Sequence, residues 1–116
     1  MDLVASKRAE KNEGKYSNGA KDGLWNHWYE NGNKSNERNW NKGKPHGSVI
    51  EWNVNGQKSL EKNFKDGKFD GFIIRWHENG QMMSRVKYQN DQIVEGSEKY
   101  WNSKGEPVDS AAKAIF

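Results

Sequence analysis

The chain has 116 residues, of which 32% are hydrophobic and 12% aromatic, and its 19 basic and 16 acidic side chains leave a net charge of +3. This length fits one domain, and interspersed charges without a basic block give little support for binding nucleic acid or an anionic membrane. Cysteine is absent, which excludes disulfides, thiol nucleophiles and thiolate metal sites.

Residues 1–13 are polar and carry no turn signal. We expect an N-terminal segment that is either disordered or helical from Asp2 to Lys11. Neither a signal peptide nor a transmembrane helix is visible, so the cytoplasm is the default compartment, and secretion or a surface location stays open.

Residues 14–105 repeat one pattern with a period of about 24: a glycine, a tryptophan five positions later, and a closing glycine after four more. Another aromatic residue recurs between the copies. A period of this size indicates a repeat architecture, in which each unit buries its apolar side against its neighbours. The opening glycines are Gly23, Gly47, Gly71 and Gly96, the tryptophans are Trp28, Trp52, Trp76 and Trp101, and the intervening aromatics are Tyr16, Trp40, Phe64 and Tyr88.

Turn signals divide this region into short segments. Pairs such as Asn18-Gly19, Asn31-Gly32 and Asp66-Gly67 recur every 11 to 14 residues, and Asn90-Asp91 fills the one position without glycine. Such pairs between aromatic and β-branched segments are strong hairpin signals, so consecutive strands should be antiparallel neighbours. We therefore predict an all-β fold, an elongated single-layer meander of about eight strands near 11–17, 22–29, 33–40, 46–53, 57–64, 70–77, 81–88 and 94–102.

Loop length decides which side chains share a face of the sheet. A two-residue loop at Asn31-Gly32 pairs Trp28 with Ser35 and sends Trp40 to the opposite face, whereas a three-residue loop pairs Trp28 with Lys34. We predict the second arrangement, a type I turn with a glycine bulge, because it gathers the periodic aromatics on one face. The opposite face is then polar, with five exceptions: Trp25, Tyr29, Val49, Ile73 and Met83.

The four opening glycines begin strands, where a hairpin does not require positive φ. We expect that they allow close approach of a neighbouring aromatic ring, with turn flexibility as the alternative. After the repeats, residues 106–116 should form a terminal cap. We predict a short helical turn capped by Asp109 or Ser110, with Val108, Ile115 and Phe116 covering the edge near Trp101.

The combination Gly-x-x-x-x-Trp-x-x-Asn-Gly, followed by an aromatic and Asp-Gly, resembles the variant form of the membrane occupation and recognition nexus (MORN) repeat. The segments WYENGNK (residues 28–34), KDGKFDG (65–71) and WHENGQ (76–81) are especially similar to it. The resemblance implies a β-hairpin array with an interaction role. Bacterial proteins with this variant are often labelled antitoxins of toxin–antitoxin pairs, and the resemblance carries over no catalytic residue.

The residues provide no catalytic or metal-binding motif. His27, His46 and His77 occur without a ligand pattern, and Glu30 and Glu78 lie at separate turns, too far apart for a carboxylate pair. We expect no enzyme activity, metal or cofactor.

The leading hypothesis is a protein-binding module, because aromatic residues among mixed charges suit protein interfaces. An antitoxin or immunity-type protein is the form of such a module that we consider. A carbohydrate or cell-wall binding array and a membrane-associated scaffold are the alternatives. A homodimer through the exposed sheet edge is also open. The predicted contact residues are those that interrupt the polar face and their neighbours: Trp25, Tyr29, Ile73, Arg75, His77 and Met83.

Overall fold

Eleven strands and one short helix make up the part of the chain that the computed structural model describes, residues 11–116. The strands form one antiparallel sheet in the order β1-β2-β3-β4-β5-β7-β8-β10-β11, with β6 paired to β5 and β9 paired to β8. The elements are β1 (Lys11–Ser17), β2 (Ala20–Trp28), β3 (Lys34–Asn41), β4 (Lys44–Trp52), β5 (Lys58–Lys65), β6 (Lys68–Phe69), β7 (Gly71–Trp76), β8 (Met82–Gln89), β9 (Gln92–Ile93), β10 (Lys99–Trp101), β11 (Pro107–Val108) and α1 (Ala111–Ala114).

The predicted fold class, an elongated single-layer antiparallel meander, is confirmed. The eight predicted strands correspond to β1–β5, β7, β8 and β10, and the structure adds the two-residue strands β6, β9 and β11. The molecule measures 49 × 40 × 14 Å. Its radius of gyration is 16.9 Å, whereas a compact domain of this length is expected near about 13 Å. The sheet is therefore thin and exposes much of both faces.

Two kinds of turn alternate along the chain. The two-residue turns have positive φ at both positions, as type I′ hairpins require; they are Asn18-Gly19, Lys42-Gly43, Asp66-Gly67 and Asn90-Asp91. In the longer loops, the Tyr29 N–H donates to the Asn33 carbonyl at 2.8 Å and the Gly32 N–H donates to the Tyr29 carbonyl at 3.0 Å. This is the predicted three-residue loop with a glycine bulge, and Trp28 pairs with Lys34 as predicted.

A second bulge, which the loop pattern does not predict, follows each of these loops. Trp28 pairs with Lys34 but His27 pairs with Asn36, so Ser35 is an extra residue in β3. Ser59 in β5 and Met83 in β8 are extra in the same way. Because successive strand residues point to opposite faces, each extra residue moves the rest of its strand to the other face.

The prediction that the periodic aromatics share one face is therefore wrong. Trp40 pairs with Gly23, which is two residues from Trp25 along β2 and so on the same face. Trp28 lies on the opposite face. We name the two faces after their tryptophans, with the members given by strand register. The Trp25 face includes Trp25, Trp40, Val49, Leu60, Phe64, Ile73, Val86, Tyr88 and Tyr100; the Trp28 face includes Leu24, Trp28, Ile50, Trp52, Phe72, Ile74, Trp76 and Trp101.

The Trp25 face, predicted to be the polar one, is the better buried. Trp25 is 6% exposed, Val49 3% and Leu60 8%. The Trp25 ring meets the Tyr16 ring edge-on at 4.9 Å between centroids, and its Nε1 donates to the Lys15 carbonyl at 3.0 Å. A side chain at Gly14 would collide with the Trp25 ring. Further along the sheet, Phe64, Phe69 and Tyr88 form a continuous row of ring contacts.

The opening glycines do require positive φ, contrary to the prediction. Their φ values are 78° at Gly23, 95° at Gly47, 106° at Gly71 and 79° at Gly96. Three of them pair across the strands with Trp40, Phe64 and Tyr88. A Cβ at Gly71 would nevertheless meet the Asn63 side chain, at 3.1 Å, rather than a ring. The left-handed backbone is therefore the main reason for glycine at these positions.

The chain ends partly match the predicted organisation. β1 begins at Lys11, so residues 11–13 belong to the sheet, and the rest of the predicted N-terminal segment lies outside the described residues. The predicted helical turn is confirmed as α1, and the Ser110 hydroxyl caps it by accepting from the Lys113 N–H at 3.3 Å. Of the three residues predicted to cover the edge near Trp101, Val108 is half-buried and pairs with Tyr100 at that edge. The prediction is wrong for Ile115 and Phe116, which are 67% and 80% exposed, whereas Ala114 is 1% exposed.

Candidate interaction surface

A row of tryptophans crosses the Trp28 face at the end of the strands nearest the glycine-bulge loops. Trp28, Trp52, Trp76 and Trp101 lie on alternate strands of the sheet and remain partly exposed. Alternate strands are about 9.6 Å apart, too far for the rings to stack directly. The return strands between them place Lys34, Lys58 and Met82 in the gaps, because each of these residues pairs with a tryptophan. We call these seven residues the Trp–Lys ladder.

Lysine side chains lie against the rings of this ladder. Lys34 Nζ is 5.8 Å from the Trp28 ring centroid and 6.0 Å from that of Trp52. Lys58 Nζ is 5.2 Å from the Trp76 ring centroid. These distances fit cation–π contacts, and the aliphatic stems cover apolar ring surface between the strands.

Glutamates fix the ladder lysines from the next row of the same face. Lys34 Nζ lies 2.7 Å from Glu37 Oε1, and Lys58 Nζ lies 3.3 Å from Glu61 Oε1. Both pairs are partly exposed, so each contributes little to the free energy of unfolding. They do orient the ammonium groups, and they neutralise part of the positive charge of the row.

The remaining apolar side chains of the Trp28 face form a second group. Leu24 is 47% exposed and Phe72 is 38% exposed at equivalent positions two repeats apart, with Ser48 between them. Arg85 and Lys87 lie over the Phe72 ring, with Cζ at 5.3 Å and Nζ at 5.9 Å from its centroid. Exposed apolar groups with cations beside them suit a protein interface better than a solvated surface.

The six predicted contact residues lie elsewhere. Register places Ile73 and Arg75 on the Trp25 face together with Trp25 itself. Trp25 and His77 are 6% and 7% exposed. These two side chains are therefore buried and do not lie on a solvated face as predicted. The bulges place Trp40, Phe64 and Tyr88 on the Trp25 face, and this face becomes the better buried one. Tyr29, Ile73 and Met83 are half-buried and Arg75 is exposed, and their part in binding stays a prediction.

Two of these residues connect successive repeats. The Tyr29 hydroxyl donates to the Trp52 carbonyl at 2.6 Å, and His77 Nε2 lies 2.9 Å from the Trp101 carbonyl oxygen. Both contacts reach the tryptophan of the next repeat, 23 and 24 residues along the chain. These side chains therefore hold neighbouring loops together, and their identity is explained by the fold.

Two residues near the C-terminus, Tyr100 and Asp109, have shifted pKa values. The hydrogen bond from the Tyr100 hydroxyl to Glu98 raises the pKa of Tyr100, with smaller contributions from burial and from the glutamate charge. The hydrogen bond with Lys113 lowers the pKa of Asp109, whose side chain is exposed. Residues 11–116 hold no group of three potential metal ligands.

A shallow cavity of about 270 Å³ lies between α1 and the Trp25 face. Its apolar wall comes from Met83, Val86, Ala114 and Ile115, and Arg75 and Tyr100 stand at its margin. The space is smaller than the sites that enclose drug-sized ligands. It marks incomplete packing of the C-terminal cap against the sheet.

Comparison with known proteins leaves the family open. No family model matches this chain, and no curated protein matches it. The MORN resemblance therefore stays a prediction from the quoted motifs. Among residues 11–116, the helical segment is too short to cross a lipid bilayer.

Proposed function

We propose that this chain is a non-enzymatic protein-binding repeat module whose contact surface is the Trp28 face. The observation that carries the proposal is the combination of the half-exposed tryptophans of the Trp–Lys ladder with the exposed Leu24 and Phe72 on one flat face. Tryptophan and arginine are enriched among residues that dominate binding energy, and Arg85 lies beside Phe72 on this face.

The thinness of the molecule supports the same proposal. A sheet 14 Å thick presents a broad surface for its mass. Alternating lysine and glutamate pairs give that surface a defined charge pattern, which contributes to partner selection and association rate.

We propose further that the partner is a folded protein and that the chain acts as the antitoxin or immunity-type member of a pair. This step is supported by the resemblance to the MORN variant alone. Coexpression with the product of the adjacent gene tests it. We expect the two products to co-elute and this chain to relieve any growth inhibition caused by its partner.

Substitutions on the two faces test the contact surface. Phe72→Glu and Leu24→Glu should each weaken binding to the adjacent gene product at least about tenfold, because a charge is placed on the apolar part of the interface. Ile93→Glu is the matched control, since Ile93 is 48% exposed but pairs with Tyr88 of the Trp25 face. Melting curves show whether each variant is folded.

Unchanged affinity of folded Phe72→Glu and Leu24→Glu variants contradicts the assignment of the Trp28 face. If the adjacent product does not bind, while choline or cell-wall saccharides quench tryptophan fluorescence in a saturable manner, the carbohydrate-binding alternative replaces the protein-binding proposal.

A further inference from the structure

Within the described part of the chain, the outer edge of β1 is unpaired. All seven residues of β1 are exposed, and within residues 11–116 only β2 pairs with this strand. The opposite end of the sheet is different, because β11 has only two residues and α1 follows it. Unpaired backbone groups along a long edge are a template for pairing with another strand.

The repeat shows which kind of strand fits this edge. Tyr16 and Trp40 are equivalent residues 24 positions apart, so β1 corresponds to β3. β3 is paired on both sides, by β2 and by β4, and both neighbours are antiparallel. The outer edge of β1 corresponds to the edge of β3 that β2 occupies. It is therefore built to accept an antiparallel strand.

Backbone directions identify the groups available at this edge. The Lys21 carbonyl accepts a hydrogen bond from the Gly43 N–H at 2.8 Å, on the side away from β1. Tyr16 pairs with Lys21, and this is consequently a pair without mutual backbone hydrogen bonds. The N–H and C=O groups of Tyr16 then point outward, and by alternation so do those of Gly14 and Asn12.

We propose that the chain forms a symmetric dimer in which β1 pairs antiparallel with β1 of a second copy, centred on Gly14. Asn12 of each copy then exchanges backbone hydrogen bonds with Tyr16 of the other, and the two Gly14 residues exchange theirs. Glu13 of each copy lies opposite Lys15 of the other, at the pair positions where side chains are closest. The edge is thus complementary to itself in charge.

Other symmetric registers are less favourable. A two-fold axis perpendicular to the sheet requires one residue to face its own counterpart. Centring on Glu13 or Lys15 places like charges opposite each other and shortens the overlap, whereas centring on Gly14 overlaps all seven residues of β1. Gly14 also places no side chain at the axis. A larger residue does not fit there, because the Trp25 ring occupies the space where its Cβ would lie.

Charge reversal tests the register. Analytical ultracentrifugation of the full chain should show a dimer at micromolar concentration that weakens as salt rises. Glu13→Lys alone or Lys15→Glu alone places two like-charged pairs across the interface, and each should raise the dissociation constant about tenfold or more. The double variant Glu13→Lys with Lys15→Glu restores opposite charges and should dimerise like the original chain.

Proline tests the edge independently. Asn12→Pro removes an outward N–H, so it should abolish the dimer and leave a folded monomer, while Asn12→Ala should still dimerise. Dimerisation that persists in Asn12→Pro, or a double charge variant that stays as weak as the single variants, overturns the proposal. A chain that sediments as a monomer at millimolar concentration overturns it as well. Phe72→Glu should leave this dimer intact. A failure of the dimer proposal can therefore be distinguished from a failure of the proposed function.

Discussion

Lys34 lies between the rings of Trp28 and Trp52, with its Nζ 5.8 Å and 6.0 Å from the two centroids. The three side chains come from three adjacent strands of one face. In a single-layer sheet, no second layer is present in residues 11–116 to cover the tryptophans of this face. The lysine stems and the sulfur-containing side chain of Met82 take that role, and each ladder position joins one repeat to the next.

The repeat itself provides a test of how the ladder lysines stabilise the fold. Met82 occupies the position of Lys58 one repeat later, beside Trp76. Lys58→Met should therefore change the free energy of unfolding by no more than about 0.5 kcal/mol. The apolar contact of methionine replaces a partly exposed cation–π contact with Trp76 and an ion pair with Glu61. Lys58→Ala should cost about 1 kcal/mol through lost packing. Urea denaturation measures both, and a loss above about 2 kcal/mol in Lys58→Met would show that charge dominates.

The two faces should differ in their sensitivity to truncation. Trp25→Ala removes a side chain that is 6% exposed and should cost about 3–5 kcal/mol. Trp52 is only half-buried, so Trp52→Ala should cost about 1–3 kcal/mol. Thermal or denaturant unfolding of the two variants gives the comparison. Equal costs, or a larger cost at Trp52, would contradict the assignment of the main core to the Trp25 face.

Substitution of the glycine at the start of each repeat should destabilise the fold because the backbone there has positive φ. Gly71 has φ of 106°, and an added Cβ would lie 3.1 Å from the Asn63 Cβ. Gly71→Ala should therefore destabilise the chain by about 1–2 kcal/mol. Gly67→Asn is the matched control in the preceding turn, where positive φ is also present but no atom lies within 4 Å and asparagine tolerates the conformation. A Gly71→Ala variant as stable as the original chain would exclude this explanation.

Alkaline titration should show the raised pKa of Tyr100. Its hydroxyl donates to Glu98 Oε2 at 2.7 Å, which raises its pKa above the ordinary value of 10.0. A group whose folded pKa is raised contributes stability that is complete below the unfolded pKa and is lost as the pH rises through the folded pKa. The difference in tyrosinate absorbance between the original chain and Tyr100→Phe isolates this one group, which should ionise above its ordinary pKa. The hydrogen bond is refuted if the group lost in Tyr100→Phe ionises at or below that value.

Much of the fold could be predicted because the signals are local. Asn18-Gly19 and its equivalents specify two-residue turns, and the closing glycines specify the longer loops, so strand order followed directly. The bulges at Ser35, Ser59 and Met83 carry no comparable signal, because neither serine nor methionine has a special backbone preference. One extra residue in each return strand therefore places Trp40, Phe64 and Tyr88 on the face opposite Trp28, while Trp52 and Trp76 stay on the Trp28 face.

The same bulges explain why the sequence alone places the candidate contact residues on the wrong surface. If Trp28 and Trp40 share one face, Trp25 and His77 fall on the polar face, whereas in the structure both are buried. One signal was available in the sequence: Lys34, Lys58 and Met82 recur beside the tryptophans, and long amphipathic side chains at such positions indicate a surface that is half solvated.

Cross-strand contacts of Leu60 test the central claim most directly, namely that a bulge at Ser59 divides the aromatics between two faces. With the bulge, Leu60 faces Glu51 and Glu61 faces Ile50. Nuclear Overhauser spectroscopy should therefore show backbone contacts within these two pairs, and Leu60 methyl contacts to Val49 of the Trp25 face. Backbone contacts between Leu60 and Ile50, with their methyl groups together, would contradict the account and return the aromatics to one stripe.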